Sequence, residues 1–340
     1  MSGKTMRGIY YSSERKQVEI KDYPLPAIND VQALVKLECS LISAGTEIFM
    51  IENAAQKGLN LTNLGYQGAG VIVDKGINVP YEIGTRVAVY GGPYVAHHQY
   101  LAVPKHLLVP IKEDTDSEEA AFVGLGAISI HGLRAAKMEF GESVWVIGLG
   151  VIGQLTSQIA LNAGYQVIAT DLDEKKVSLV KKAGADLAGR ADEITPKVIK
   201  EFLGQGVDAV VMTAGSKSEN LVNDSLTALR PGGRYVMVGV SPLNLNRDIM
   251  FDLESEVMVT RAGGPGRYNR DYELNAHDFP LQYVRWTEGR NMQEFIRMLE
   301  KGRISTKELI THRYKFEDAK EAYQMIQSGN QDHIGVILKY

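Results

Sequence analysis

Ser143-Val144-Trp145-Val146-Ile147-Gly148-Leu149-Gly150-Val151-Ile152-Gly153 is the stretch on which the fold turns. Its first five residues, apolar after the serine, read as a buried strand, and Val151–Ala163 carries helical spacing. The glycines between them follow the pattern G-x-G-x-x-G. Gly148 permits a tight turn, Gly150 lets a pyrophosphate approach the backbone, and Gly153 lets the helix pack closely on the strand. Val151 and Ile152 open that helix, whose amino end attracts phosphates. The next strand, Gln166–Thr170, leads into Asp171, 18 residues beyond Gly153. A carboxylate there binds both hydroxyls of an adenosine ribose and repels a 2′-phosphate, so the cradle suits NAD(H) rather than NADP(H). A glycine-rich turn without a nucleotide would not call for strand, motif, helix and acid together at this spacing.

Outward from this unit, strand and helix keep alternating. Glu174–Ala183 reads as a helix, Ala209–Thr213 as a strand and Leu221–Leu229 as a helix stopped by Pro231-Gly232-Gly233. Arg234–Val240 and Glu256–Thr260 read as the last strands. That alternation predicts a doubly wound parallel sheet. Thr213-Ala214 and Val238-Gly239 fall at strand ends where small residues leave room for adenine and nicotinamide. Ordinary turn chemistry explains any one of them equally well. Before Asp116 the text differs. Residues 7–110 carry short alternating runs (Arg7–Tyr11, Val31–Cys39, Gly70–Asp74, Arg86–Tyr90, Tyr100–Val103) between turn clusters, which predicts an all-β stretch, a partly open barrel. Asp116 then caps a helix. After Gly266 a turn-rich segment leads to a helix over Asn291–Lys301, another opening at Phe316, and a closing strand Gly335–Lys339. The organisation predicted is an α/β Rossmann domain, residues 119–266, inserted in a β-rich domain made of 1–118 and 267–340.

Composition narrows the partners. The chain has 340 residues, enough for two cores, and a net charge of -4 that gives no basic surface for nucleic acid or anionic membrane. Its one cysteine, Cys39, excludes an internal disulfide and any cysteine-cluster metal site and fits a reducing cytoplasm. Met1–Met6 shows no apolar leader, and no run of about 18 apolar residues suggests a membrane span.

Several segments carry a resemblance. Gly65-Tyr66-Gln67-Gly68-Ala69-Gly70-Val71, Gly84-Thr85-Arg86-Val87-Ala88, Gln99-Tyr100-Leu101-Ala102-Val103-Pro104, the glycine turn and Leu229-Arg230-Pro231-Gly232-Gly233 together resemble the medium-chain dehydrogenase/reductase superfamily of alcohol, polyol and threonine dehydrogenases. The resemblance implies a GroES-like substrate domain beside the Rossmann domain. It also implies a cleft between them, and homodimers or homotetramers paired through the last Rossmann strand, here Glu256–Thr260. The zinc-using members carry a cysteine where Ser43 or Ala44 stands here. Their Gly-His-Glu ligand motif reads Gly65-Tyr66-Gln67, and their third ligand position reads Leu125. Serine, tyrosine, glutamine and leucine do not make a Zn²⁺ site, which takes thiolate, imidazole or carboxylate, so no metal is expected. Ser43-Ala44-Gly45-Thr46-Glu47, Leu64-Gly65-Tyr66 and Tyr283–Glu288 with Arg290-Asn291-Met292 further resemble the dehydrogenase half of bacterial bi-domain oxidoreductases. That likeness implies a sugar or sugar-derived alcohol and a separate sugar oxidoreductase as a partner.

Without zinc, a side chain must handle the hydroxyl proton. Tyr66, standing where a zinc ligand would, is the first candidate acid/base; a core-filling aromatic is the plainer alternative. His97 is the second, because imidazole titrates near neutrality, and extended backbone would turn it and His98 to opposite sides. Thr46 and Glu47 are candidates for proton relay or substrate hydroxyls, or else a turn with a solvated acid. Arg285, Trp286 and Glu288 offer an aromatic face with charge, suited to a polyhydroxylated or anionic small molecule; the alternative is a helix cap with surface ion pairs. Two other functions remain open: a zinc-free enoyl or quinone-type reductase, against which Asp171-Leu172-Asp173-Glu174 speaks, and a nucleotide-binding subunit that needs a partner oxidoreductase.

Overall fold

The computed structural model describes residues 5–328 and 333–340; residues 1–4, part of the N-terminal stretch discussed above, lie outside them. The chain divides into two compact units. One runs to Gly124 and resumes at Pro265, and the other spans Leu125–Gly264.

In the first unit, β1 (Thr5–Ser12) and β2 (Gln17–Pro24) form an antiparallel ribbon. Then come β3 (Gln32–Ile42), β4 (Gln67–Lys75), β5 (Arg86–Tyr90), β6 (Tyr100–Pro104) and β7 (Leu108–Pro110). The second unit contributes β8 (Ser143–Ile147), β9 (Gln166–Asp171), β10 (Leu187–Arg190), β11 (Val207–Met212), β12 (Leu229–Met237) and β13 (Glu256–Val259). The chain returns to the first unit for β14 (Ile310–Lys315) and β15 (Gly335–Lys339). There the order is β14-β15-β3-β4-β5-β7 with β6 also on β3, and β15 lies antiparallel to β3, Lys339 opposite Cys39.

Residues 7–110 are not all β. A 14-residue helix, Ala44–Lys57, interrupts them. Its buried positions Glu47, Ile51 and Ala54 fall at helical spacing, and Gly58, at φ +64°, takes the left-handed conformation that ends it. Ser43 at its start makes no side-chain cap, and Gly45 sits in its first turn, so the usual opening signals are missing.

The second unit is an α/β layer with six parallel strands in the order β10-β9-β8-β11-β12-β13, the doubly wound Rossmann topology. Strands β8 and β11 are buried along their whole length, as expected for strands covered on both faces. The carboxyl ends of β8, β9, β11 and β12 carry the glycine turn, Asp171, Thr213-Ala214 and Val238-Gly239. The amino ends carry ion pairs instead. Arg230 meets Asp208 at 2.5 Å and Glu142 at 3.3 Å, Arg234 meets Glu142 at 2.6 Å, and Lys137 meets Glu256 at 2.7 Å. Ser143 donates to Asp208 from both its amide and its hydroxyl at 2.8 Å. Among the described residues no helix is long and apolar enough to cross a membrane.

Candidate nucleotide cradle and hydroxyl cluster

The glycine turn of the second unit has the geometry its sequence asks for. Gly148 lies at φ +90°, where L side chains are strained, and its place against Ala214 leaves no room for a Cβ. A Cβ on Gly153 would stand 1.8 Å from the carbonyl oxygen of Gly148, so only glycine brings the helix this close. A Cβ on Gly150 would meet nothing within 4 Å, which marks open space at the turn. Gly150 is also the cap of the helix Val151–Asn162, with no side-chain cap and no acid in the first turn. The amides at Val151 and Ile152 are thus left for an anion.

Asp171 at the end of β9 accepts from Leu149 N at 2.6 Å through one oxygen and from Asp173 N at 2.9 Å through the other. Each carboxylate oxygen keeps a free lone pair for a ribose hydroxyl. Thr213 holds the turn from behind, its hydroxyl donating to Gly148 O at 2.6 Å and Ile147 O at 3.1 Å. Gly239 has no room for a side chain either, since a Cβ would lie 2.1 Å from Ala214 O. The amides of Val238 and Gly239 both donate to Met212 O at 2.9 Å. Open space, uncapped amides and a paired-oxygen acceptor fit a dinucleotide.

In the first unit the hydroxyl of Tyr66 donates to Ser43 Oγ at 2.5 Å, with the Thr46 hydroxyl a further partner. Burial pushes the phenol up to about 12, and Glu47 and Tyr268 add to that rise. Thr46 is exposed on the first turn of the helix Ala44–Lys57. The positions at which zinc-using relatives carry ligands thus hold a serine or alanine, a hydrogen-bonded phenol and, at Leu125, a buried hydrocarbon. These donors do not fit Zn²⁺.

His97 and Glu47 are both wholly buried. His97 Nε2 lies 3.2 Å from Glu47 Oε2, and Nδ1 lies 2.7 Å from Ser40 Oγ, which also meets the Tyr340 hydroxyl at 3.1 Å. Glu47 further accepts from Ser43 N at 2.7 Å and from the hydroxyl of Tyr323. Glu47 is therefore no solvated acid but the centre of an internal network joining β3, the first helix, the loop before β6, Tyr323 on the helix Ala319–Gln327 and Tyr340 just past β15. His98 turns the other way, stacking at 4.5 Å on Tyr23, and burial lowers its pKa to about 4.

Arg285, Trp286 and Glu288 do not share one face. The Arg285 guanidinium lies 3.8 Å over the ring of Trp286 and is exposed, whereas Glu288 opens the helix Glu288–Glu300 with its side chain wholly buried. Inside, Glu288 adjoins residues the sequence did not single out. Arg267 donates to Glu273 and, at 2.5 Å, to Gly92 O, while its guanidinium lies 4.0 Å from the Tyr268 ring and 5.8 Å from Tyr90. Tyr90 in turn meets Tyr66 edge to face at 5.9 Å. No local pattern in Gly266-Arg267-Tyr268 announces this.

A model of the zinc-binding dehydrogenase family matches residues 151–274. D-arabitol-phosphate dehydrogenase of Enterococcus avium is 26% identical over 362 residues, covering 96% of each chain. D-xylulose reductase of Scheffersomyces stipitis is 29% identical over 239 residues, 68% of this chain and 60% of that one. Among solved structures, an alcohol dehydrogenase of E. coli CFT073 in complex with NADH superposes with a TM-score of 0.79 at 18% identity, over 99% of this chain and 100% of that one.

Proposed function

We propose that the chain is an NAD(H)-dependent, zinc-independent oxidoreductase of the medium-chain dehydrogenase/reductase superfamily. Its substrate in this reading is a secondary alcohol or ketone of a sugar, polyol or sugar derivative. The observation that carries the reading is the hydrogen-bonded pair Tyr66–Ser43, a hydroxyl couple where a metal site would otherwise be. Relatives named for arabitol phosphate and xylulose support the substrate class. Asp171 supports NAD(H) over NADP(H).

Gly148, Gly150 and the amides of Val151 and Ile152 would hold the pyrophosphate, and Asp171 the adenosine ribose. When bound, the nicotinamide gives or accepts the hydride. The proton is the protein's task. Tyr66 is a neutral phenol at working pH, because its own pKa is pushed up to about 12. It therefore acts as a donor to the carbonyl oxygen in reduction. In oxidation it takes the alcohol proton as it passes its own to Thr46, its exposed hydroxyl partner, which releases a proton to solvent; in reduction the same exchange runs backwards and restores the phenol.

The test is turnover of D-arabitol, xylitol and their ketoses and phosphates with NAD⁺ or NADH, on protein stripped with a chelator and assayed for metal. Turnover that survives stripping is expected. Activity that vanishes on stripping and returns with added Zn²⁺ would overturn zinc independence, and a silent panel would overturn the substrate class.

A further inference from the structure

Glu288 is a wholly buried carboxyl with no hydrogen-bond partner on either oxygen. Its nearest cation is Arg267, whose Nε lies 3.9 Å from Glu288 Oε2 and is itself without a partner. The rest of that guanidinium is spoken for by Glu273 and the carbonyl of Gly92. Two buried carboxyls therefore face one guanidinium. Glu273 is the satisfied one, since it accepts from Arg267 and, at 2.9 Å, from the amide of Tyr268. An ionised Glu288 would be a desolvated charge with nothing donating to it, which is costly. When like charges share a site, one proton stays behind.

Tyr268 shows what hangs on this arrangement. Its φ of +62° is a conformation that bulky residues avoid, and it is held there by the Glu273 bond and by its ring lying over Arg267. Tyr268 is exposed at 55% and lies within electrostatic reach of Tyr66.

We propose that Glu288 is a positioning residue that works by carrying a proton. Protonated, it leaves Arg267 to Glu273 and keeps Tyr268 in place over Arg267; ionised, it competes for Arg267 through the free Nε and loosens Tyr268. This rests on the proposed function for its consequence, since Tyr268 lies within electrostatic reach of the proposed acid/base. The groups facing Glu288 are Tyr90 and Tyr94 from β5 and its loop, Arg267 before the turn, and Tyr272 and Glu273 on the short helix Arg270–Glu273. His106, stacked at 4.5 Å on Tyr272, lies one layer out and is kept neutral by burial. The tyrosines are all shifted upward, mainly by burial, so they stay silent near neutrality. Burial first, and Glu273 second, push Glu288 up to about 8 against the pull of Arg267.

The test needs no turnover. Infrared spectra of the wild type are expected to show a protonated carboxyl band that fades as pH rises through about 8, absent in Glu288→Gln. Near-ultraviolet circular dichroism should show a tyrosine transition at the same pH, also absent in Glu288→Gln. Glu273→Gln should move the midpoint down by at least about one pH unit, because Arg267 is then free to pair with Glu288. A band that persists in Glu288→Gln, or a midpoint unmoved in Glu273→Gln, would overturn the proposal. If Glu288→Gln fails to fold, the wild type and Glu273→Gln still decide it. Where a polyol or ketose is turned over, its KM should rise roughly fivefold or more across the transition in the wild type, with kcat little changed, and stay flat in Glu288→Gln. Silent kinetics with the spectra as expected would sink the sugar-alcohol reading and leave the proton on Glu288.

Discussion

Tyr66 is tied to Ser43 at 2.5 Å, and a phenol so buried does not ionise near neutrality. Tyr66→Phe keeps the ring against Tyr90 and removes only the hydroxyl. Its kcat is expected to fall about 100-fold or more, while NADH binding, read by fluorescence, stays within about twofold. An unchanged kcat would remove Tyr66 from the chemistry. Asp171 holds the turn amide of Leu149 and, in the proposed function, the ribose as well. Asp171→Ser should weaken NADH by about tenfold or more and narrow its preference over NADPH, which titrations with both nucleotides would show. Glu288 gives a stability signature. Its pKa is higher folded than unfolded, so the folded state holds a proton that the unfolded state loses above about pH 4.5. The stabilisation is whole below that pH and declines as pH rises toward about 8. Glu288→Gln should therefore gain thermal stability relative to the wild type more at pH 8 than at pH 5.

At the scale of elements, the two helix-opening glycines separate folding from binding. Gly153→Ala drives a Cβ to 1.8 Å from Gly148 O and should cost about 1–3 kcal/mol along with nucleotide affinity. Gly150→Ala puts its Cβ in open space, so melting should be unchanged while NADH affinity drops. Equal affinity in Gly150→Ala and wild type would mean the open space is not the pyrophosphate's. The contrast also marks what the sequence makes legible. The glycine turn, Asp171 and strands such as Ser143–Ile147 and Arg86–Tyr90 were readable because each is a local pattern of spacing and apolarity. The helix Ala44–Lys57 was not, since its start has no side-chain cap and a glycine in its first turn. Glu47 with His97 and Tyr323, 50 and 276 positions away, and Arg267 between Glu273 and Glu288 are products of tertiary packing. Nothing in a charged residue's neighbours along the chain announces that it will be buried.

Across the whole molecule, ionisation of buried phenols should set the alkaline limit. Burial pushes Tyr66 and Tyr272 in the first unit and Tyr235 in the second up to about 12, and raises Tyr90, Tyr323 and Tyr340 as well. The unfolded chain ionises these near pH 10, so stability is intact below that pH and falls as pH rises from 10 toward 12. The melting temperature should start to drop near pH 10 in both units; a flat profile to pH 11 would contradict the burial. Strand β13 ends the six-stranded sheet with Met258 and Val259 exposed at 41% and 59%. Pairing of this edge with a second copy remains our proposal, and Val259→Pro should then yield a monomer by sedimentation, whereas an unaltered mass would place any interface elsewhere.

The six-stranded sheet also keeps two ledgers apart. Arg230, Asp208, Glu142 and Arg234 fasten the ends where its strands enter, and the groups of the proposed nucleotide cradle gather where they leave. Heat tolerance can therefore drift, or be engineered, at the entry end without retuning the nucleotide preference proposed for the exit.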